Sequence, residues 1–366
     1  MKTAFWLAAL GWLFLAGNLL AGSAQPAPEL DALFQRESGW IGADGDFSIA
    51  LGHDTTLWLF SDSLVGSIAS GRRTNSTMIH NSIALQHKLE RPEFFYGRTP
   101  DGKADSFIKP VDDRGYYWLF AGTRTRAALY FFLQQVETVN SRSPFGFKMT
   151  GTWLAEVANP DDAPAQWRVK QTKLPFGEFS RQGDLVFGSA VLRDGDFVYI
   201  YGVDGRKLRD RERNGMVVAR VPPEQFADFS QWQFLADGKW EKDWKMVSPL
   251  CGPMATEYSV TWLPGVKKFA AVTSEGLGGT IKLRLGATPI GPWEKPEQIF
   301  ECPELKWPSK AFCYAAKAHP ELAASTNELV ITYAANSWDF FQLFKDARLY
   351  WPRFIRMKVA ATSTAE

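Results

Sequence analysis

The sequence predicts an all-β protein, and more specifically a five-bladed β-propeller of four-stranded antiparallel blades. Three observations lead to this prediction: an aromatic-rich composition, five repeats of a short apolar core, and turn residues beside those cores. Hydrophobic residues make up 45% of the 366-residue chain and aromatic residues 14%. Such a composition excludes an intrinsically disordered chain and favours strands.

The N-terminal segment has the features of a secretory signal peptide. Lys2 precedes an apolar run over residues 4–20, and small residues follow up to Ala24. One basic residue, an apolar centre and a small-residue exit are typical of a cleaved signal peptide. We therefore expect residues 1–24 to be removed and residues 25–366 to form a single propeller domain, secreted or periplasmic. No later apolar stretch approaches the roughly 20 residues of a membrane-spanning helix, so no membrane association is expected after cleavage.

Five short apolar cores recur at intervals of 60 to 81 residues, at positions 57–60, 117–120, 198–201, 268–272 and 329–333. Each is interpreted as the second strand of a blade, because another strand and a turn rich in Gly, Asp or Pro precede it. A third strand follows each core, as at residues 79–85 and 215–221. Segments 167–170 and 232–235 indicate an outer fourth strand, which completes the blade of a propeller.

A two-domain β-sandwich is the alternative, since it would also contain many short strands. The order of turn, apolar core and third strand is the same in all five units, which favours the propeller. Helix is expected to be limited to short pieces near residues 29–37 and 223–229.

Charge and cysteine content restrict the range of functions and cofactors. With 41 basic and 40 acidic residues, the chain lacks the basic excess of a nucleic-acid-binding protein. Its three cysteines are Cys251, Cys302 and Cys313. Either Cys302 and Cys313 form a disulfide, or all three are buried thiols. Four histidines and three scattered cysteines argue against a transition-metal site. No cofactor is required by the sequence; a calcium ion in the channel is compatible with the Asp content, although no loop spacing demands one.

Several motifs resemble a family of secreted five-bladed β-propellers catalogued as a domain of unknown function. Residues 42–51, 57–62 and 80–83 are similar to its opening, where a Gly-x-Asp-Gly-x-Tyr-Ser strand, a Trp-x-Phe-Gly-Asp-Thr strand and an Asn-Ser pair recur. Residues 314–322 and 332–337 resemble its last blade, which contains a Tyr, a His-Pro pair and an Asn-Ser pair. The similarity extends over the whole mature chain.

The resemblance implies an activity. Some members of that family are glycoside hydrolases that act as endo-D-arabinanases, so it implies hydrolysis of a furanose-containing, D-arabinan-like polysaccharide. Ser61 and Ser63 stand where Gly and Thr are usual in the family motif.

Four acidic residues are candidates for catalysis. Strand alternation would place Asp44 and Asp46 on one face, and aligning the blades by their turns puts Glu257 in register with Asp46. Glycoside hydrolysis needs two carboxyl groups in different protonation states, and crowded carboxylates supply them. We expect Asp44 to be the base or nucleophile and Glu257 the proton donor, with Asp46 or Asp62 tuning them.

Each of these residues also has a structural interpretation. Asp44 and Asp46 could form a turn before the first strand. Asp62 could cap a turn, and Glu257 could be an ordinary exposed residue.

Candidate substrate-binding residues lie in the family-like motifs and the final blade. His80 and His319 could bind sugar hydroxyls or serve as structural donors, and Asn81 and Asn336 belong to the two Asn-Ser pairs. Trp338 could stack on a sugar ring or fill space between blades. The expected partner is a polysaccharide or oligosaccharide, bound by a monomer. The alternative function is a propeller that binds a glycan or a protein without cleaving it.

Overall fold

The computed structural model describes residues 23–140, 145–206 and 214–360. It is an all-β structure with short helices, which confirms the predicted fold class. The N-terminal elements are β1 (Gln25–Pro26), α1 (Pro28–Phe34) and β2 (Ser38–Ala43).

The remaining elements form consecutive groups. The first groups are β3 (Phe47–Gly52), β4 (Thr55–Phe60), β5 (Ser63–Ala69), β6 (Arg72–Ile79), β7 (Ser82–His87) and β8 (Glu93–Phe95), followed by the short pair β9 (Gly97–Arg98) and β10 (Ala104–Asp105). The next are β11 (Tyr116–Arg124), β12 (Leu129–Thr138), β13 (Phe147–Val157) and β14 (Val169–Lys173), and then β15 (Glu178–Ser180), β16 (Gly183–Asp194), β17 (Phe197–Asp204), β18 (Gly215–Val221), β19 (Gln233–Ala236) and β20 (Lys239–Glu241). The last are β21 (Tyr258–Leu263), β22 (Lys268–Ser274), β23 (Thr280–Gly286) and β24 (Glu297–Glu301), and then β25 (Ala311–Ala318), β26 (Glu328–Ser337), α2 (Gln342–Lys345) and β27 (Pro352–Lys358). Short 3-10 turns occur at Pro164–Gln166, Pro223–Gln225, Phe229–Gln231, Trp244–Met246, Pro303–Lys306 and Pro320–Leu322.

Five larger antiparallel sheets follow one another along the described chain, and we number them I to V. Their strand orders are β3-β4-β7-β8 (I), β11-β12-β13-β14 (II), β15-β16-β17-β18-β19-β20 (III), β21-β22-β23-β24 (IV) and β25-β26-β27-β1 (V). Two smaller sheets, β2-β5-β6 and β9-β10, accompany them.

The sheets are arranged around a common cavity of about 340 Å³, which is lined by residues from β3, β11, β16, β21 and β25. Successive members of this set contact each other from β3 to β25. The hydrogen bond between Ser48 Oγ and His319 Nδ1, at 2.6 Å, joins the last sheet back to the first. Sheet I therefore adjoins sheet V, and the inner strands surround the cavity.

The repeat prediction needs two corrections. Residues 117–120 lie in β11, the first strand of sheet II, and the second strand is β12. Inner strands can be as apolar as second strands, so hydrophobicity did not distinguish the two. The predicted strand 79–85 instead spans the end of β6 and most of β7, because β5 and β6 pair with β2 as a separate sheet.

The predicted helical pieces are shorter than expected. The first is α1, which ends at Phe34, and the second is replaced by two 3-10 turns around residues 223–231. Helix α2 was not predicted. None of the helices in the described residues reaches the length and apolar character that a bilayer crossing requires.

The predicted signal peptide lies outside the described residues except for Ser23 and Ala24. Ala24 is buried, and its backbone N–H donates a hydrogen bond to the carbonyl of Ile299 at 2.9 Å. Cleavage and secretion stay predictions.

Candidate active site

The turn between β2 and β3 carries the first two candidate carboxylates. Gly45 and Asp46 both have positive φ values, 92° and 53°, so the chain reverses here instead of continuing as a strand. A Cβ at position 45 would lie 2.7 Å from the backbone nitrogen of Ser61, which explains why glycine is needed. The expected strand alternation of Asp44 and Asp46 is therefore wrong, and the turn interpretation is correct.

The same turn is attached to the segment that follows β4. Ser61 N–H donates to the carbonyl of Asp44 at 2.9 Å, and Asp44 N–H donates to the carbonyl of Asp62 at 3.2 Å. These two backbone hydrogen bonds place Asp44 beside Asp62.

Asp44 is the most strongly perturbed carboxyl group of the site. Burial raises its pKa well above the ordinary value, and the neighbouring charges of Asp62 and Glu257 raise it further. The hydroxyl of Tyr314 opposes this shift by donating a hydrogen bond to Asp44 Oδ2 at 2.5 Å. Asp46 also raises the pKa of Asp44, so the other three predicted carboxylates all lie within electrostatic reach of Asp44.

Asp46 is fully buried, and neither carboxyl oxygen has a hydrogen-bond partner within the described ranges. Burial raises its pKa to about 7, Lys317 opposes this shift, and Glu257 adds to it. Lys317 is itself buried: its Nζ lies 3.4 Å from Glu257 Oε2 and 4.4 Å from the centre of the Phe47 ring. The ammonium also donates hydrogen bonds to the carbonyls of Gly45 and Ala315. Lys317 therefore supplies the positive charge at the centre of this site.

Glu257 lies just before β21 and is partly exposed. Together with Tyr314 it lines an open cavity of about 310 Å³. Burial raises its pKa, whereas the Lys317 ammonium lowers it. Glu257 is therefore a member of the site rather than an ordinary exposed residue.

Asp62 accepts contacts from two aromatic ring systems. Its Oδ1 lies 3.0 Å from Nδ1 of His80 and accepts a hydrogen bond from Trp118 Nε1 at 3.1 Å. The His80 ring stacks on Tyr116 at a centroid distance of 3.6 Å, and 41% of its side chain is exposed. His80 is thus both held in place and accessible to a ligand.

Two predicted substrate-binding residues serve the fold instead. Asn81 is fully buried, and its amide makes three hydrogen bonds of 2.9 Å to the backbone of Ile108 and Tyr117. His319 is also fully buried, with its ring nitrogens 2.6 Å from the hydroxyls of Ser48 and Thr332. Burial and Lys317 lower the pKa of His319 well below its ordinary value. The sequence analysis selected both residues because they are polar and lie in family-like motifs. Their polar atoms instead make hydrogen bonds within the protein, so they do not face a substrate.

The other two predicted binding residues lie along the wall formed by β25 and β26. Asn336 is mostly buried; its Nδ2 donates to the hydroxyl of Tyr314 at 3.4 Å, so it supports Tyr314 rather than facing solvent. Trp338 is 53% exposed and packs against Phe312 and Phe145, at ring distances of 4.7 and 5.7 Å. We call Phe145, Phe312 and Trp338 the aromatic group.

The aromatic group is continuous with the carboxylates. Phe312 lies 5.4 Å from Tyr314, which binds Asp44. Phe145 lies in the connection between β12 and β13 of sheet II, whereas Phe312 belongs to sheet V. Aromatic side chains from sheets II and V therefore form a continuous series of contacts from Asp44 to the exposed Trp338.

The site also contains Tyr314, Lys317 and Tyr350, and no role was assigned from the sequence to Tyr314 or Lys317. Tyr350 has a positive φ of 66°, and burial with the nearby Asp44 carboxylate raises its pKa well above the ordinary value. Lys317 could have been recognised, because it is a lysine within the otherwise apolar strand β25.

Only one group of three potential metal ligands is found in the described part of the chain. It consists of Cys302, Glu304 and Cys313 and lies apart from the four carboxylates.

Comparison with known proteins gives a family and a fold. The sequence profile of a domain of unknown function (DUF5005) matches residues 28–359. The structure is similar to that of a candidate hydrolase from Bacteroides ovatus, with a TM-score of 0.73 and 20% identity, covering 91% of this chain and 90% of that one. At this identity the similarity shows a shared fold.

Two further solved structures are more distant. The GH43_1 enzyme from Xanthomonas citri complexed with xylose has a TM-score of 0.46 and 13% identity, covering 92% of this chain and 94% of that one. CoXyl43, a GH43 β-xylosidase/α-arabinofuranosidase from a compost microbial metagenome, has a TM-score of 0.48 and 11% identity, covering 94% and 96%. These similarities are too weak to support a functional inference. No curated protein matches the sequence. The profile match covers most of the chain, so the protein belongs to the DUF5005 family.

Proposed function

We propose that residues 25–366 form one five-bladed β-propeller, secreted after removal of residues 1–24. Sheets I to V follow one another along the chain, and their inner strands line one cavity. Radial repetition of four-stranded sheets around a central channel is the defining arrangement of a propeller. The extra strands β15 and β20 extend sheet III at its two edges.

The proposed activity is hydrolysis of a glycosidic bond in a furanose-containing polysaccharide of the D-arabinan type, by a monomer. The observation that carries this proposal is that Asp44 and Glu257 share two neighbours. Tyr314 donates a hydrogen bond to Asp44 and lines one cavity with Glu257. The Lys317 ammonium binds the carbonyl of Gly45, next to Asp44, and lies 3.4 Å from Glu257 Oε2. Two neighbouring carboxyl groups with shifted pKa values are what glycoside hydrolysis requires. The substrate class rests on the family resemblance of the sequence motifs.

The local contacts suggest a division of roles. Asp44 is assigned as base or nucleophile from the family motif. In the free protein, burial and the charges of Asp62 and Glu257 raise its pKa well above the ordinary value, and the hydrogen bond from Tyr314 opposes this rise by favouring the ionised form. Glu257 acts as proton donor, because burial favours its protonated form. Asp62 and Asp46 both raise the pKa of Asp44 and so tune it.

Substrate contacts are assigned to the accessible side chains. His80 lies beside Asp62 and is exposed enough to bind a sugar hydroxyl. Trp338 presents an aromatic face on which a sugar ring can stack.

The test is incubation of the purified protein with a panel of arabinans, fructans and other furanose polymers, followed by chromatography of released oligosaccharides. We expect products from one polymer, and a decrease of about a hundred- to ten-thousand-fold in the Asp44→Asn variant. Asp54→Asn is the matched control: Asp54 is an exposed aspartate in the β3–β4 turn, with a positive φ of 57° that asparagine tolerates. Circular dichroism would establish that both variants fold.

Two outcomes would contradict this function. Undiminished hydrolysis by a folded Asp44→Asn variant would exclude Asp44 as base or nucleophile. Binding to a polymer without any products would favour a non-catalytic glycan-binding propeller, for which the exposed aromatic group would be the contact surface.

A further inference from the structure

A second cluster of reactive side chains lies between sheets IV and V. Cys302 follows β24, Glu304 lies in the 3-10 turn Pro303–Lys306, and Cys313 lies in β25. All three residues are at least 96% buried. One ligand atom from each lies within 4.8 Å of the other two.

The cluster faces away from the carboxylate site. Cys313 and Tyr314 are neighbours on β25, and successive side chains of a strand point to opposite faces. Tyr314 binds Asp44, whereas the Cys313 Sγ lies 3.9 Å from Glu304 Oε2. The cluster is therefore independent of the proposed hydrolase site.

Burying the Glu304 carboxylate beside two thiols costs free energy unless its charge is compensated. Its two oxygens accept hydrogen bonds from the Tyr333 hydroxyl, at 3.2 and 3.0 Å. The nearest cationic group is Arg353, whose Nε lies 3.8 Å from Glu304 Oε1, which is beyond hydrogen-bond distance. A buried carboxylate needs closer charge compensation than this contact gives.

We propose that Cys302, Glu304 and Cys313 bind one divalent transition-metal ion of the zinc type. Zinc bonds of about 2.3 Å to sulfur and about 2.0 Å to oxygen imply separations of roughly 3.5 to 3.8 Å between tetrahedral ligands. The Cys313–Glu304 separation of 3.9 Å is already close to this range. Three protein ligands leave one tetrahedral position for water.

Charge and hydrogen bonding are consistent with this assignment. Binding releases the two thiol protons, so the incoming dication leaves the net charge of the cluster unchanged. Arg353 is shared between Glu304 and Asp31, whose Oδ2 lies 3.2 Å from Arg353 Nη1. The Tyr333 hydroxyl orients the carboxylate in the way that outer-shell groups orient metal ligands.

The sequence alone argued against a transition-metal site because it has only four histidines and three scattered cysteines. Pairing of sheets IV and V brings the ligands together: Cys302 N–H donates to the carbonyl of Gly279 at 3.0 Å, and Gly278 forms a bridge with Cys313. The competing arrangement is a Cys302–Cys313 disulfide. Both cysteines are free thiols in this structure, and a disulfide would leave Glu304 without a closer cation.

The site can be tested with cobalt as a spectroscopic probe. The full mature protein, purified with reductant and freed of metal by a chelator, is titrated with Co²⁺. We expect one ion per chain, with sulfur-to-cobalt charge-transfer absorption and the strong visible bands of tetrahedral cobalt, all abolished by excess Zn²⁺. Tyr333→Phe should weaken binding about 10- to 100-fold.

Cysteine variants provide the comparison. Cys302→Ser and Cys313→Ser each remove one of the two cobalt–sulfur bonds and should lower the charge-transfer absorption by at least half, whereas Cys251→Ser, which alters the third thiol outside the cluster, should leave it unchanged. Zn²⁺ should raise the melting temperature of the wild type and of Cys251→Ser, but not that of Cys313→Ser, which also reports whether each variant folds.

Three results would overturn the proposal: no charge-transfer band in the wild type, a band of undiminished intensity in Cys313→Ser, or a Cys302–Cys313 disulfide found by non-reducing peptide mapping of protein isolated without reductant.

Discussion

Asp46 and Lys317 show how single side chains set the charge of the buried site. Asp46 has no hydrogen-bond partner for either oxygen among the residues described, and a positive φ of 53° holds it in the turn. Lys317 lies in the neighbouring strand and opposes the rise in the pKa of Asp46. The protonation state of Asp46 is therefore coupled to the folded structure.

This coupling predicts how stability depends on pH. The pKa of Asp46 is about 7 in the folded protein and near 3.8 in the unfolded chain, so between about pH 4 and pH 7 the folded protein binds a proton that the unfolded chain has released. The free energy of unfolding contributed by Asp46 therefore falls as the pH rises through this window, by up to about 4 kcal/mol. Asp46→Asn should remove this decrease, which urea denaturation at pH 4.5 and pH 8 would measure.

A suitable control is Asp237→Asn. Asp237 is an exposed aspartate with a similar φ of 48°, so its variant should keep the pH dependence of the wild type. If the two variants show the same pH dependence, the buried carboxyl of Asp46 is not its source.

The residues also show how far a sequence can predict a site. Asp44, Asp46, Asp62 and Glu257 could be proposed because acidic residues beside turns and strand ends are visible in the sequence. Asn81 and His319 could not be recognised as structural residues, because the hydrogen bonds that satisfy them come from segments up to 271 residues away. The partners of a polar side chain are decided by tertiary packing, which local motifs do not encode.

At the scale of elements, the sheet β2-β5-β6 supports the turn that carries Asp44. Arg73 of β6 is buried and donates hydrogen bonds to three carbonyls, those of Ile41, Leu343 and Leu349, at 2.9, 2.7 and 2.6 Å. Its guanidinium also lies 5.3 Å from the centre of the Trp351 ring. One arginine thus ties β2 to the segment around α2 that leads into Tyr350.

Arg73→Lys should therefore destabilise the protein by about 2 to 4 kcal/mol. A lysine ammonium cannot reproduce the planar fork of the guanidinium, and each buried carbonyl left without a partner costs about 1 to 3 kcal/mol. Arg72→Lys is the control, because Arg72 is the adjacent, exposed arginine of the same strand and its replacement should change stability by less than about 0.5 kcal/mol. Equal urea denaturation midpoints for the two variants would show that Arg73 does not hold these segments together.

At the scale of the whole molecule, the N-terminal segment fills the junction between sheets I and V. β1 pairs with β27, and α1 packs beside it with Leu30 and Phe34 buried. Phe34 contacts Trp58 of sheet I at 4.9 Å and Phe354 of sheet V at 5.2 Å, measured between ring centres. Asp31 accepts a hydrogen bond from Phe354 N–H at 2.7 Å, which fixes α1 on the last strand.

Most of this architecture could be predicted from the sequence, and the exceptions have a common cause. Strand β18, for example, was placed correctly at residues 215–221, because apolar runs between turn residues are visible locally. The inner strand β11 was mistaken for a second strand, because sheet order depends on which strands pair and not on how apolar they are. The pairing of β1 with β27, across most of the chain, has no local signal.

The junction of sheets I and V leads to the last prediction. Phe34→Ala should lower the free energy of unfolding by about 3 to 5 kcal/mol, because it removes a buried ring and leaves a cavity between two sheets. Gln35→Ala changes the next, exposed residue and should have little effect. Since α1 joins the first and last sheets, the Phe34 variant should unfold in a single transition at lower urea concentration, when followed by tryptophan fluorescence and circular dichroism. A separate early transition confined to one probe would show that the N-terminal segment unfolds by itself and does not stabilise the junction.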